Sequence, residues 1–150
     1  MKNFARGFTL IELLMVVVII SILATAVFVS LDPVQRYADA KNSRRWSDVN
    51  SILTAIHEYI IYNNGALPSG LSTTEKQLGT CTTGGGGACA GAQDACLDLS
   101  VTLSKYLKTI PYDPSGNATT THYSVKVDTN NIITVKGCSA EGGATVEVSR

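Results

Sequence analysis

Glu12 is a single carboxylate near the start of a long apolar run, RGFTLIELLMVVVIISILATAVFVSL. An isolated carboxylate in hydrocarbon is expensive, so such a group needs a partner or a route to water. One route is short: from the membrane edge it can reach the headgroups. A sharper use begins at Gly7 and Phe8. If the chain is cut between them, Phe8 carries a new amine, positive at neutral pH. Glu12 lies four residues on, about one helical turn away. Within one chain the pair is weak, because first-turn N–H groups also need acceptors. Between neighbouring chains, Glu12 of one can neutralise the amine of the next. That chemistry is charge matching in assembly.

The other reactive side chains give weaker signals. Cys81, Cys89, Cys96 and Cys138 are even in number and all follow the apolar run. Outside the cytoplasm two disulfides are expected, with three pairings open and one bridge tying Cys138 to the loop before it. Zinc is the competing use of four cysteines, but no C-x₂-C pair is present. Intermolecular or free thiols are the third. His57 and His122 have no serine or cysteine at a spacing that suggests nucleophilic catalysis. The tract Gly84 to Gly87 lacks the lysine and the preceding apolar strand of a phosphate cradle. Lys41, Arg44 and Arg45 beside Trp46 are expected just outside the membrane, paired with Asp39 and Asp48. Asn117-Ala118-Thr119 has the form of a glycosylation sequon.

These residues need elements to hold them. The chain of 150 residues is long enough for about one domain, and its 12 basic and 12 acidic residues cancel,. No global charge points to nucleic acid or acidic lipid. The apolar stretch from Phe8 to Leu31 exceeds the roughly 7–15 residues of a signal-peptide core and matches the ~20 that span a bilayer. Lys2 and Arg6 before it orient the N-terminus to the cytoplasm and the rest outside. Apolar positions then recur at helical spacing through Val49, Ile52, Leu53, Ile56, Tyr59 and Ile60. One helix, kinked near Pro33, is expected to run to about Tyr62 and stop at Asn63-Asn64-Gly65. Its full extent would be on the order of 80 Å. Beyond it lie a glycine- and cysteine-rich loop and a short helix around Leu99, Leu103, Tyr106 and Leu107. The turn IPYDPSGN follows. Three strands close the chain: 122–127, 132–136 and 144–149. The fold class is α+β, a long helix whose apolar stripe is covered by a small antiparallel sheet.

GFTLIELL resembles the cleavage and recognition motif of class III signal sequences, found in type IV pilins and in the pseudopilins of type II secretion. The likeness is strong over roughly Arg6 to Ala26 and looser beyond. It implies that a membrane-embedded prepilin peptidase cuts after Gly7 and methylates Phe8, and that Glu12 and Phe8 serve in assembly. It divides the chain into a leader, 1–7; a transmembrane and filament-core helix, 8–31; an external continuation of that helix, 32–63; and a head, 64–150. IPYDPSGN, Ile110 to Asn117, is similar to a segment of the major pseudopilins. Two departures stand out. Val29 occupies the place of the usual proline at mature position 22, and the major pseudopilins usually lack a cysteine-rich loop like Cys81 to Cys96. Some members of that branch bind calcium near the terminal sheet. Asp113 and Asp128 are the candidates here, though no calcium-loop spacing is present and a solvated turn aspartate explains each.

The resemblance implies a structural protein, not an enzyme: the major subunit of a type IV pilus or pilus-like filament. Its partners would be copies of itself, the prepilin peptidase and an inner-membrane assembly platform. It would stand in the inner membrane with its head outside, then in a surface pilus or a periplasmic pseudopilus. A major pseudopilin of a secretion or DNA-uptake system is the alternative. A monomeric single-pass membrane protein with a ligand-binding head is another.

Overall fold

A computed structural model describes residues 7–150; Lys2, Arg6 and the rest of the leader before Gly7 lie outside them. The chain divides after Tyr37 into two units.

In the first unit, α1 spans Leu10–Ser30. Thr9 caps it, and every residue in it is exposed. A helix this apolar with no protein around it matches hydrocarbon as its solvent, and it is long enough to cross a bilayer,. Two of its hydroxyls are satisfied internally: Ser21 Oγ donates to Val17 O at 2.8 Å, and Thr25 Oγ1 to Ser21 O at 2.9 Å,. The expected continuous helix is interrupted. Asp32 adopts a left-handed φ of 38°, and α2 begins anew at Pro33, running Pro33–Tyr62. The reason is local. Proline suits the first position of a helix, where its missing N–H is not needed. Asp32 Oδ1 then accepts from Gln35 N at 3.3 Å, satisfying a first-turn donor,. Pro33 starts a second helix instead of kinking the first.

In the second unit, α2 ends as its sequence suggests. Gly65, at φ 86°, returns its N–H to Ile60 O at 2.8 Å,. Five strands follow: β1 Lys76–Leu78, β2 Gln93–Leu97, β3 Tyr123–Val127, β4 Ile133–Gly137 and β5 Val146–Ser149. They form one sheet in the order β2-β1-β3-β4-β5. The three expected C-terminal strands are there and antiparallel, with Val125 opposite Val135 and Val135 opposite Val148. Two further strands were not expected: β1 precedes the glycine- and cysteine-rich segment and β2 forms at its end, and these pair in parallel. The sheet is therefore mixed. The expected helix near Leu103 is a run of turns, in which Leu103 N bonds Leu99 O and Leu107 N bonds Leu103 O. Val49, Ile52, Leu53 and Ile56 of α2 pack with Leu78, Leu103, Tyr123, Val125, Ile133, Val135 and Val146 in one core.

Candidate functional site

The N-terminal end of α1 is built by a reciprocal cap. Glu12 N donates to Thr9 Oγ1 at 3.3 Å, and Glu12 Oε2 accepts from Thr9 N at 2.8 Å and Thr9 Oγ1 at 2.7 Å. This is a capping box, whose signature is threonine followed three residues later by glutamate. The signal was legible as T-L-I-E and was missed, because Glu12 drew attention only toward Phe8. The carboxylate also sits at the positive end of the helix dipole, where a negative charge is favoured. Phe8 is 83% exposed. Gly7 is exposed too, and a Cβ added there would meet nothing within 4 Å. Packing among the described residues thus makes no demand for glycine at position 7.

A second polar cluster lies in the head, where sequence reasoning placed only surface charges. Arg45 was expected in a basic run outside the membrane, and Asp113 in a solvated turn. Both side chains are fully buried. The Arg45 guanidinium grips Asp113 with two groups, Nε on Oδ2 and Nη2 on Oδ1, the latter at 3.1 Å. Arg45 Nη1 donates to Asn42 Oδ1 at 2.8 Å, and Nη2 also reaches Glu141 Oε1 at 3.3 Å. Asn42 in turn treats the Glu141 backbone as a strand partner would. Its Nδ2 donates to Glu141 O at 2.9 Å, and its Oδ1 accepts from Glu141 N at 3.1 Å. Lys41 pairs with Glu141 at 3.0 Å. The expected partnership with Asp48 belongs to Arg44, at 3.7 Å. One helix face thereby clamps two loops, around Asp113 and around Glu141.

The electrostatics follow from this geometry. Burial alone would raise Asp113, but the bonds from Arg45 and Ser115 outweigh it and hold the carboxyl below its usual range,. Arg45 is raised, chiefly by its hydrogen bond to Asp113. Glu141 is lowered, first by Lys41 and then by Arg45. Burial, reinforced by the 2.7 Å bond to Asp48, pushes the Tyr123 hydroxyl up. Both oxygens of Asp113 are engaged, by Arg45 and by Ser115. They do not fit the calcium role considered from sequence. Asp128 Oδ1 accepts from Asn130 N and Ile132 N within its own turn. Among the described residues no group of three His, Cys, Asp or Glu converges as metal ligands.

The remaining candidates fall as follows. Cys81 is bonded to Cys96 and Cys89 to Cys138. The first bridge closes the glycine-rich segment on itself, and the second ties it to the end of β4. The tetraglycine tract packs on β2. Gly85 N donates to Asp94 O at 2.7 Å, and a Cβ there would meet Gln93 O and Asp94 O at 2.8 Å. His57 is partly exposed on α2. His122, at φ 61°, brings Nδ1 to Ser139 Oγ at 3.0 Å and Ser115 Oγ at 3.3 Å. Those serines are distant in sequence, so spacing alone does not reveal them. Ser115 Oγ donates onward to Asp113 Oδ1 at 2.6 Å. Asn117 is exposed, its Oδ1 accepting from Thr119 N and Thr120 N.

Residues 2–28 match the family described as the prokaryotic N-terminal methylation motif. No curated protein and no solved structure matches the chain. The motif is the class III signal sequence, and it opens the apolar helix that carries Glu12. After that helix in the chain come the second helix and the five-stranded sheet of an α+β head, and the motif with this arrangement supports a type IV pilin-like or pseudopilin protein.

Proposed function

We propose that the chain is the precursor of the major structural subunit of a type IV pilus or pilus-like filament. The observation that carries this reading is Glu12, placed in the first turn of a fully exposed apolar helix that the methylation motif opens. Gly7 adds support. Glycine there serves no contact among the described residues, which suits a residue selected by a processing peptidase. In this reading the peptidase cuts after Gly7 and methylates Phe8. The subunit waits in the inner membrane with its head outside, and an assembly platform feeds it into the filament. There the α1 helices replace lipid with one another, and Glu12 meets the Phe8 amine of a neighbour.

A pseudopilin shares these physics, and the similarity of Ile110 to Asn117 to the major pseudopilins favours it as the second reading. Electron microscopy of sheared cell-surface material, with intact-mass measurement of the subunit, separates the outcomes. The pilus reading expects long surface filaments of chains beginning at methylated Phe8. Filaments confined to the periplasm would favour the pseudopilin. Membrane-bound chains beginning at Met1, with no filament, would overturn both and favour the monomeric binding protein.

A further inference from the structure

The C-terminal end of α2 carries tyrosines that order one another. The Tyr106 ring stacks on Tyr62, with centroids 5.7 Å apart and planes at 26°, and meets Tyr59 edge-on at 6.2 Å. Tyr62 nevertheless remains 75% exposed. A broad ring face is therefore offered to solvent in a fixed position. Tyrosine has only two side-chain torsions, and stacking restricts them before any ligand arrives, which lowers the cost of binding.

Beside this platform, the last turn of α2 and the turns at 101–106 enclose a hollow of about 130 Å³. By the same measure a single water needs only ~15 Å³. Tyr59, Asn63, Thr102, Ser104, Lys105 and Tyr106 line it with hydrogen-bonding groups, and Val101 adds an apolar side,. Asn63 Nδ2 is committed to Tyr59 O and Ser104 Oγ–H to Val101 O, so Asn63 Oδ1 and the Ser104 oxygen are turned to use as acceptors. Lys105 has no ion pair among the described residues.

We propose that this hollow and the Tyr62 face bind a neutral carbohydrate. A sugar ring has an apolar C–H face that packs on an aromatic ring and a rim of hydroxyls that both donate and accept. The site offers both kinds of surface. Lys105 repels a cation, while the carbonyl end of α2 disfavours an anion. A lining this polar is also unlike the apolar pocket that would anchor a peptide side chain.

Saturation-transfer NMR on the full chain in zwitterionic, sugar-free micelles tests this, with cellobiose, lactose, maltose and diacetylchitobiose as probes. Transfer to ring C–H protons of at least one disaccharide is expected. Tyr62→Ala should weaken that binding about fivefold to tenfold, and Tyr62→Phe, which keeps the ring, by less than about twofold. Lys105→Met should also weaken it. Both positions are exposed, and intact disulfides with an unchanged circular dichroism spectrum verify the fold. Absence of transfer from all four probes overturns the proposal, as does equal transfer in wild type and Tyr62→Ala. A Tyr62→Ala chain that binds sugar normally but assembles poorly would make the platform a contact between subunits instead. The binding test uses unassembled chains, so its result is independent of whether the protein forms filaments.

Discussion

Glu12 closes a helix cap and, in the proposed reading, also serves assembly, and substitutions can part the two. Its carboxylate accepts from Thr9 and closes the cap of α1. In the filament it would also face a neighbour's amine. Glu12→Gln retains shape and cap acceptance but removes charge, whereas Glu12→Leu removes both. We expect both variants to insert and fold, and filament yield at matched levels of processed subunit to fall in both. The size depends on how desolvation offsets attraction in a low-dielectric core. Normal yield from both would end the assembly role. Thr9→Ala isolates the other job. It should cost about 1 kcal/mol of helix-end stability, read as faster amide exchange over the first turn, with charge untouched. At this scale the sequence was informative about charge in hydrocarbon, where a lone acid stands out. It was uninformative about Arg45 and Asp113, because burial depends on which face packing covers.

The elements repeat that contrast. The apolar stripe of α2 and the alternation in β3 and β4 were legible because each has a period to count. β1 is three residues, Lys76–Leu78, and β2 reads Gln-Asp-Ala-Cys-Leu. Neither alternates cleanly or contains a β-branched residue, so only the pairing of β1 to β3 and of β2 to β1 reveals them. The break at Asp32 was misjudged because proline was weighed as a helix breaker when it stands first in a new helix. Between elements, the Arg45 clamp is the contact to test. Arg45→Ala leaves Asp113 buried without its counter-charge and should destabilise the head by about 3–5 kcal/mol in denaturant unfolding. Arg45→Met with Asp113→Leu should recover most of that loss. Recovery no greater than that of Arg45→Met alone would show that the pair is not coupled.

For the whole head, the depressed carboxyls set an acid limit. Asp113 and Glu141 ionise more readily when folded than when unfolded. Their contribution is fully present above the unfolded values, about 4. It fades as pH falls through the lower folded values. Thermal melting should therefore be flat from neutrality to about pH 5 and drop below about pH 4. In Asp113→Asn the drop should shrink. Melting that stays flat below about pH 4 would overturn this reading. Reduction is the second global test. Breaking both bridges should cost about 2–5 kcal/mol, with protection lost first over residues 79–97. α1 should remain inserted, since none of its described contacts involves a cysteine.

The bridges interleave: Cys89 lies inside the loop closed by Cys81 and Cys96, yet its partner is Cys138. A chain threaded across a membrane from its N-terminus exposes its thiols in order. An oxidant that joins each new thiol to the last would make Cys81–Cys89 and then Cys96–Cys138, neither of which is native. Maturation must therefore either keep Cys89 unpaired until Cys138 has emerged or undo an early mistake by thiol exchange. This gives biosynthesis a timing requirement that the finished fold does not display. Cells that oxidise thiols but cannot isomerise disulfides should accumulate a mispaired, membrane-anchored chain, visible as a separate band on a non-reducing gel. Reduction and slow reoxidation of that material should convert it to the native pattern.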